Sequence, residues 1–233
     1  MRMSILLFDG FTTLDIVGGY ESLSRIPGME VEFVAKTPGV HASDTRMLGL
    51  LAWKDLAAGR GCDILYVPGG PGGMVAQRDP EILDFMRDAH ATSTWTIGVC
   101  NGVEMLAHAG LVEGKEVTTN YHCRDAVTAL GGRVLPLRYH QDGKLITGAG
   151  VSASCDAGLY LTRLLVGQEV AEVIQFGVEY YPDPPFGPKT ADEATDAAKA
   201  LVKAYDDAWE AQFGPMTAPF AGGKAVAPAL AAE

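Results

Sequence analysis

The sequence predicts one α/β domain built on a mainly parallel sheet over residues 1–213, followed by a tail at 214–233. Three observations carry that prediction. Short apolar or β-branched runs alternate with amphipathic stretches, the rhythm of βαβ units. One such run passes straight into a glycine-rich loop, Asp63-Ile-Leu-Tyr-Val-Pro-Gly-Gly-Pro-Gly-Gly73. Another turns sharply into helical spacing around a single thiol, Trp95-Thr-Ile-Gly-Val-Cys-Asn-Gly-Val-Glu-Met-Leu-Ala-His108.

The strand candidates, in order, are Ser4–Phe8, Val31–Ala35, Ile64–Val67, Thr96–Val99, Glu116–Thr119 and Leu145–Thr147. Helical spacing occupies Thr13–Arg25, Pro80–Ala91 and Gly102–Ala109 between them. Asp79 is a natural N-cap, and Pro80 suits a first turn whose N–H needs no partner. Ser152–Leu165 and Gln168–Glu179 repeat apolar residues three and four apart. The stretch Tyr180-Tyr-Pro-Asp-Pro-Pro-Phe-Gly-Pro188 is stiffened by its prolines and either connects two helices or walls a pocket or interface. A last helix, Ala191–Phe213, opens on Asp192 and Glu193, which suit its positive end. Beyond it the Ala-, Pro- and Gly-rich residues have little to bury, so a mobile tail is expected.

Composition narrows the function. The 233 residues are 48% hydrophobic, ample for a large core, and carry 18 basic against 29 acidic side chains for a net charge of -11. That potential repels phosphate backbones and anionic surfaces, so neither nucleic acid nor membrane is the expected partner. The apolar run before Asp9 is too short for a secretory core or a membrane span, and a cytoplasmic location is expected. The 4 cysteines, Cys62, Cys100, Cys123 and Cys155, form no CxxC pair and read as free thiols. No HExxH, Cys/His cluster or acidic pair points to a metal.

Cys100 is the candidate nucleophile. Gly98 and Gly102 stand two residues to either side, where missing side chains let strand and helix approach and let Cys100 adopt a strained backbone. A helix amino terminus beneath the sulfur is expected to favour thiolate. The competing reading is a buried cysteine serving as a small hydrophobe. The loop of Gly69 and Gly70 matches neither the dinucleotide fingerprint nor a P-loop. It is either an anion cradle or oxyanion hole facing Cys100, or a tight connection. Asp15, in Leu14-Asp-Ile-Val-Gly-Gly-Tyr-Glu21, is an acid in apolar company, either a helix-end charge or a site carboxylate. Glu21 is a competing acid, but it lies deeper in the helix and reads as a solvated or structural residue. His122 and His140 are candidate bases for Cys100, whereas His41, His90 and His108 read as surface or helix residues. Tyr20, Tyr121 and Tyr181 are either walls of an apolar pocket or core or interface aromatics.

These motifs resemble the ThiJ/PfpI superfamily, related to class I glutamine amidotransferases. The resemblance runs over residues 3–180 through Leu14-Asp-Ile-Val-Gly, Asp63-Ile-Leu-Tyr-Val-Pro-Gly-Gly, Val99-Cys-Asn-Gly with Ala109-Gly-Leu, and Val117-Thr-Thr. Within it, Glu179-Tyr-Tyr-Pro-Asp-Pro-Pro-Phe and Thr147-Gly-Ala-Gly-Val-Ser-Ala-Ser-Cys-Asp156 are similar to isonitrile hydratases. The resemblance implies a flavodoxin-like three-layer sandwich, a homodimer, a small-molecule substrate and no cofactor. It implies a catalytic Cys100 with Asp15 beside it, and oxyanion donors at Gly69 and Gly70. Asn101, Tyr121 and His122 would join the substrate site. The chain departs from the hydratase-like pattern in three places. Cys100-Asn101 stands for Cys-Thr, Thr118-Thr-Asn-Tyr121 for Thr-Thr-His-Trp, and Gly18-Gly19 for Gly-Pro. The expected reaction is addition of water to an isonitrile. The alternatives are a glyoxalase-like or amidase-like hydrolase, which a histidine at Cys100 would favour, and a cysteine-based redox or ligand sensor. No helix-turn-helix pattern follows residue 213, which argues against a DNA-binding regulator.

Overall fold

The computed structural model describes residues 1–186 and 190–213, side chains excepted from Tyr205 onward. The 214–233 tail and the end of the proline-rich segment lie outside the described residues. The elements run β1 (Arg2–Leu6), α1 (Thr13–Leu23), β2 (Glu30–Ala35), β3 (Gly39–Ala42), β4 (Gly49–Ala52), β5 (Lys54–Asp55), α2 (Leu56–Gly59) and β6 (Ile64–Val67). They continue with α3 (Gly73–Ala76), α4 (Pro80–Thr92), β7 (Trp95–Val99), α5 (Gly102–His108), β8 (Glu116–Val117) and α6 (Arg124–Ala129). The last are β9 (Arg133–Val134), β10 (Tyr139–Asp142), β11 (Leu145–Gly148), α7 (Ala153–Val166), α8 (Gln168–Gly177) and α9 (Asp196–Phe213). Single 3-10 turns lie at Tyr121–Cys123 and Ala191–Glu193.

Seven strands form the main sheet in the order β10-β11-β7-β6-β1-β2-β5. All neighbours are parallel except β10, which lies antiparallel on β11. Every residue of β6 and β11 is buried, as expected of strands covered on both faces, which is why they read as continuous apolar runs. Helix α1 packs on α7 and α7 on α8, while α2, α4, α5 and α6 form the other helical group, giving the flavodoxin-like arrangement of sheet between helices. The chain moves outward from β1 through β2 to β5, then returns to β6 on the other side of β1. That reversal opens a crevice beyond the carboxyl ends of β1 and β6, the usual ligand position in such sheets.

Where the elements differ from expectation, local bonding explains the difference. The expected strand Glu116–Thr119 stops at Val117, and β8 pairs with β9 outside the main sheet. Thr118 leaves the ladder because its N–H donates to Thr147 Oγ1 (2.9 Å) and its hydroxyl to the Leu137 carbonyl (2.5 Å). The expected helix Ala191–Phe213 begins instead at Asp196, after the 3-10 turn that Arg124 clamps through Asp192 at 2.6 Å. Asp79 caps α4 as expected, accepting from the Glu81 N–H at 2.9 Å. The proline-rich segment contributes Tyr180 and Pro182 to a cleft also lined by Tyr139, Tyr160 and Arg163.

Candidate active site

Cys100 stands where β7 ends and α5 begins, with φ of 57°, a left-handed backbone uncommon outside glycine. Its own N–H donates to the Gly148 carbonyl (3.0 Å), and its carbonyl accepts from Thr119 Oγ1 (2.8 Å), so the strained residue is pinned on both sides. The glycine bracket has a packing cause. A Cβ at Gly98 would lie 2.6 Å from Leu106 Cδ1, and one at Gly102 would lie 2.4 Å from the Val67 carbonyl oxygen. Only glycines let α5 fold back onto β7 and the end of β6 this closely.

Asp15, on α1, is fully buried. Tyr66 donates its hydroxyl to the Asp15 carbonyl (2.5 Å) and Ser154 donates to the Leu14 carbonyl (2.7 Å), fixing this turn of α1 from β6 and α7. Oδ2 accepts the Gly69 N–H at 2.9 Å, whereas Oδ1 is buried without a regular hydrogen bond. The Cys100 thiol stands against this carboxyl. Burial pushes the Asp15 pKa up to about 8, with Asp44 adding to the rise and the Gly69 N–H and the Cys100 thiol opposing it. Burial, then the Asp15 charge, pushes Cys100 well above the usual thiol range, and the Asn101 N–H and the Asn120 amide pull it back only in part. The expected resting thiolate is therefore corrected. Cys100 is 7% exposed, its sulfur faces an acid and has only the short α5 beneath it, so the thiol keeps its proton.

The glycine loop meets the elbow, but not as open donors. The Gly69 N–H is taken by Asp15, and the Gly70 N–H donates to Asn101 Oδ1 at 2.6 Å. Asn101 completes the pair by donating Nδ2 to the Gly70 carbonyl at 2.9 Å. A Cβ at Gly69 would fall 2.2 Å from Asn101 Oδ1 and 2.9 Å from Asp15 Oδ2. The expected oxyanion donors thus serve to lock carboxyl, amide and nucleophile together. The buried Asn101 side chain is the clasp between loop and elbow; its backbone N–H is the part that serves the sulfur.

His122 lies against Tyr121, and it is Asn120 that meets the sulfur. The histidine is exposed and its ring stacks on Tyr121 at 3.7 Å between centroids. Asn120 takes the expected histidine's place, with Nδ2 3.5 Å from Cys100 Sγ. Sequence reading passed over Asn120, although its position in Val117-Thr-Thr-Asn was the available signal. Glu104 was also missed: this acid within apolar α5 is buried, accepts from Gln77 Nε2 (3.3 Å), and bonds the Cys123 thiol. Of the other candidates, His140 pairs with Glu116 at 3.4 Å, Tyr20 packs on Phe33 and Tyr181 is exposed. Among the described residues no group of His, Cys, Asp and Glu is gathered as metal ligands.

A family model described as DJ-1/PfpI matches residues 1–163. The chain belongs to the DJ-1/PfpI family. Relatives of this DJ-1/PfpI chain include an isonitrile hydratase from Pseudomonas putida, 33% identical over 199 residues that cover 84% of this chain and 86% of that one. A crystal structure of a ThiJ/PfpI family protein from Pseudomonas syringae superimposes with a TM-score of 0.83 at 30% identity, covering 93% of this chain and 90% of the other. Drosophila melanogaster DJ-1beta superimposes at 0.70 with 19% identity, over 78% of this chain and 98% of that one, a likeness of fold alone. In the present DJ-1/PfpI protein the strained cysteine and the buried carboxyl meet where β7 turns into α5.

Proposed function

We propose that this protein adds water to an isonitrile, giving an N-substituted formamide, through Cys100 as nucleophile and Asp15 as proton carrier. The observation that carries the reading is the pairing of a buried carboxyl, protonated below about pH 8, with a protonated thiol at a strained elbow. An isonitrile carbon needs both a proton and a nucleophile, and this pair supplies both. The similarity to the Pseudomonas putida isonitrile hydratase supports it.

Asp15 gives its proton to the terminal carbon of R–N≡C. The resulting carboxylate takes the Cys100 proton while the sulfur pair forms the C–S bond, leaving the thioimidate R–N=CH–S and a reprotonated Asp15. Water then adds to that carbon, with Asp15 passing one proton to nitrogen and accepting one from the water. The tetrahedral R–NH–CH(OH)–S species collapses, the C–S bond breaks, and sulfur leaves as the restored thiol with R–NHCHO released. No step calls for a cofactor. Asn120 rather than an imidazole beside the sulfur favours this reading over a hydrolase that depends on histidine.

Incubation with a simple alkyl isonitrile, followed by proton NMR, should show the formyl signal of the formamide with wild type and none with Cys100→Ala. Absence of product with wild type, or undiminished product with the variant, would sink the reading.

A further inference from the structure

We infer that Asn120 is a catalytic residue, the side-chain donor that steadies negative charge on the Cys100 sulfur as the C–S bond forms and breaks. The inference rests on the reaction proposed above for its chemistry, and on the following geometry for its assignment.

Asn120 Nδ2 lies 3.5 Å from Cys100 Sγ, within reach of a hydrogen bond to sulfur. Its amide is oriented: Oδ1 accepts the His122 N–H at 3.1 Å, capping the 3-10 turn Tyr121–Cys123, which leaves the nitrogen end for the thiol. The segment before it is held on both sides of the elbow. The Thr118 N–H is bound to Thr147 on β11, and the Thr119 hydroxyl is bound to the carbonyl of Cys100 itself. Asn120 is therefore fixed relative to the nucleophile by its immediate neighbours, as a catalytic donor has to be.

The surroundings make such a donor necessary. Among the described residues, those acting on the sulfur are Asp15 from α1, Cys123 from the 3-10 turn, the Asn101 N–H at the start of α5, and Asn120. Glu104, also from α5, bonds Cys123 and adds a further acid to this region. The acids oppose a charged sulfur, and the two amide donors counter them in part. The Asn101 N–H belongs to the backbone and would be present with any residue there. Asn120 is the part that the side-chain identity supplies, and it carries no proton that titrates in the working range, unlike an imidazole.

The test is the rate at which iodoacetamide alkylates Cys100, read by mass spectrometry of the Cys100 peptide across a pH series, in wild type, Asn120→Ala and Asn120→Asp. Alkylation needs only the thiolate: sulfur displaces iodide and keeps the acetamide. Asn120→Asp retains an oxygen for the His122 N–H, so it preserves the turn while replacing the donor with an acid that opposes a charged sulfur, and Asn120→Ala removes the donor without adding charge. Both variants should move the thiolate midpoint to higher pH and slow alkylation at a given pH by about 10-fold or more, the usual effect of losing a hydrogen bond to a charged group. Unchanged midpoints and rates in a folded Asn120→Asp would overturn the assignment. Formamide production by the same proteins separates the two claims. If wild type makes none while alkylation depends on Asn120, the isonitrile reading fails and the donor role stands. If the variants lose formamide with alkylation unchanged, the donor role fails.

Discussion

Asp15 couples the proposed chemistry to stability. Its folded pKa is raised from an ordinary 3.8 to about 8. The folded protein thus holds a proton that the unfolded chain releases between those values, and stability is lost as pH rises through that window. Asp15→Asn removes the titration. The variant should match wild type near pH 4 and exceed it by on the order of a few kcal/mol above pH 8, read as thermal midpoints against pH. The same substitution should lower formamide turnover by roughly 100-fold or more, because an amide cannot pass the proton on. Wild-type turnover should fall as pH rises through about 8, where the acid form is lost. At Cys100 the left-handed backbone makes a second prediction: Cys100→Gly should be as stable as Cys100→Ala or more so, by up to about 1 kcal/mol, in denaturant melts. A clearly more stable alanine variant would deny the strain. Cys100 and Asp15 were legible in the sequence because apolar company and a glycine bracket are local signals. The thiol's protonation was not, since it depends on a carboxyl that α1 brings to β7 only in the fold. Asn120 was only half legible: its place after Val117-Thr-Thr marked the position, but the 3.5 Å approach of its amide to the sulfur exists only in the fold.

At the scale of elements, the site depends on how closely α1 and α7 cross. A Cβ at Gly158 would lie 2.6 Å from Gly19 Cα, and one at Gly18 would lie 2.1 Å from Ser154 Oγ. Gly19, the residue at which Gly18-Gly19 departs from the hydratase-like Gly-Pro, is where α1, the helix that carries Asp15, meets Gly158 of α7. Gly158→Ala should destabilise the protein by about 1–3 kcal/mol in urea melts, since the obstacle is backbone and cannot step aside. It should also slow turnover by displacing α1. A variant of wild-type stability would mean that the helices tolerate separation. The buried strands β6, β7 and β11 were readable because cover on both faces imposes an unbroken apolar run. The hairpin of β3 and β4 was not, because Val40 within it and Leu48 beside it are exposed and its residues follow no core-facing pattern. Strand β8 was overextended because Thr118 and Thr119 have strand-forming side chains that here bond elsewhere.

For the whole molecule, the reversal of strand order between β1 and β6 gathers at one crevice residues that lie far apart in the chain: Asp15, Gly69, Cys100 and Asn120. No described helix is long and apolar enough to cross a membrane. The homodimer implied by the family resemblance is a proposal with a direct check: sedimentation should give twice the 24.7 kDa of the chain, and a monomer at working concentrations would refute it. The proposed reaction passes through a covalent intermediate at Cys100 formed with a proton from Asp15. Rapid quenching of the protein with an alkyl isonitrile, followed by intact and peptide mass analysis, tests that most directly. The predicted result is a gain equal to the whole isonitrile, confined to the Cys100 peptide, abundant in wild type and suppressed in Asp15→Asn. Turnover without any adduct at Cys100, or equal adduct in both proteins, would contradict it.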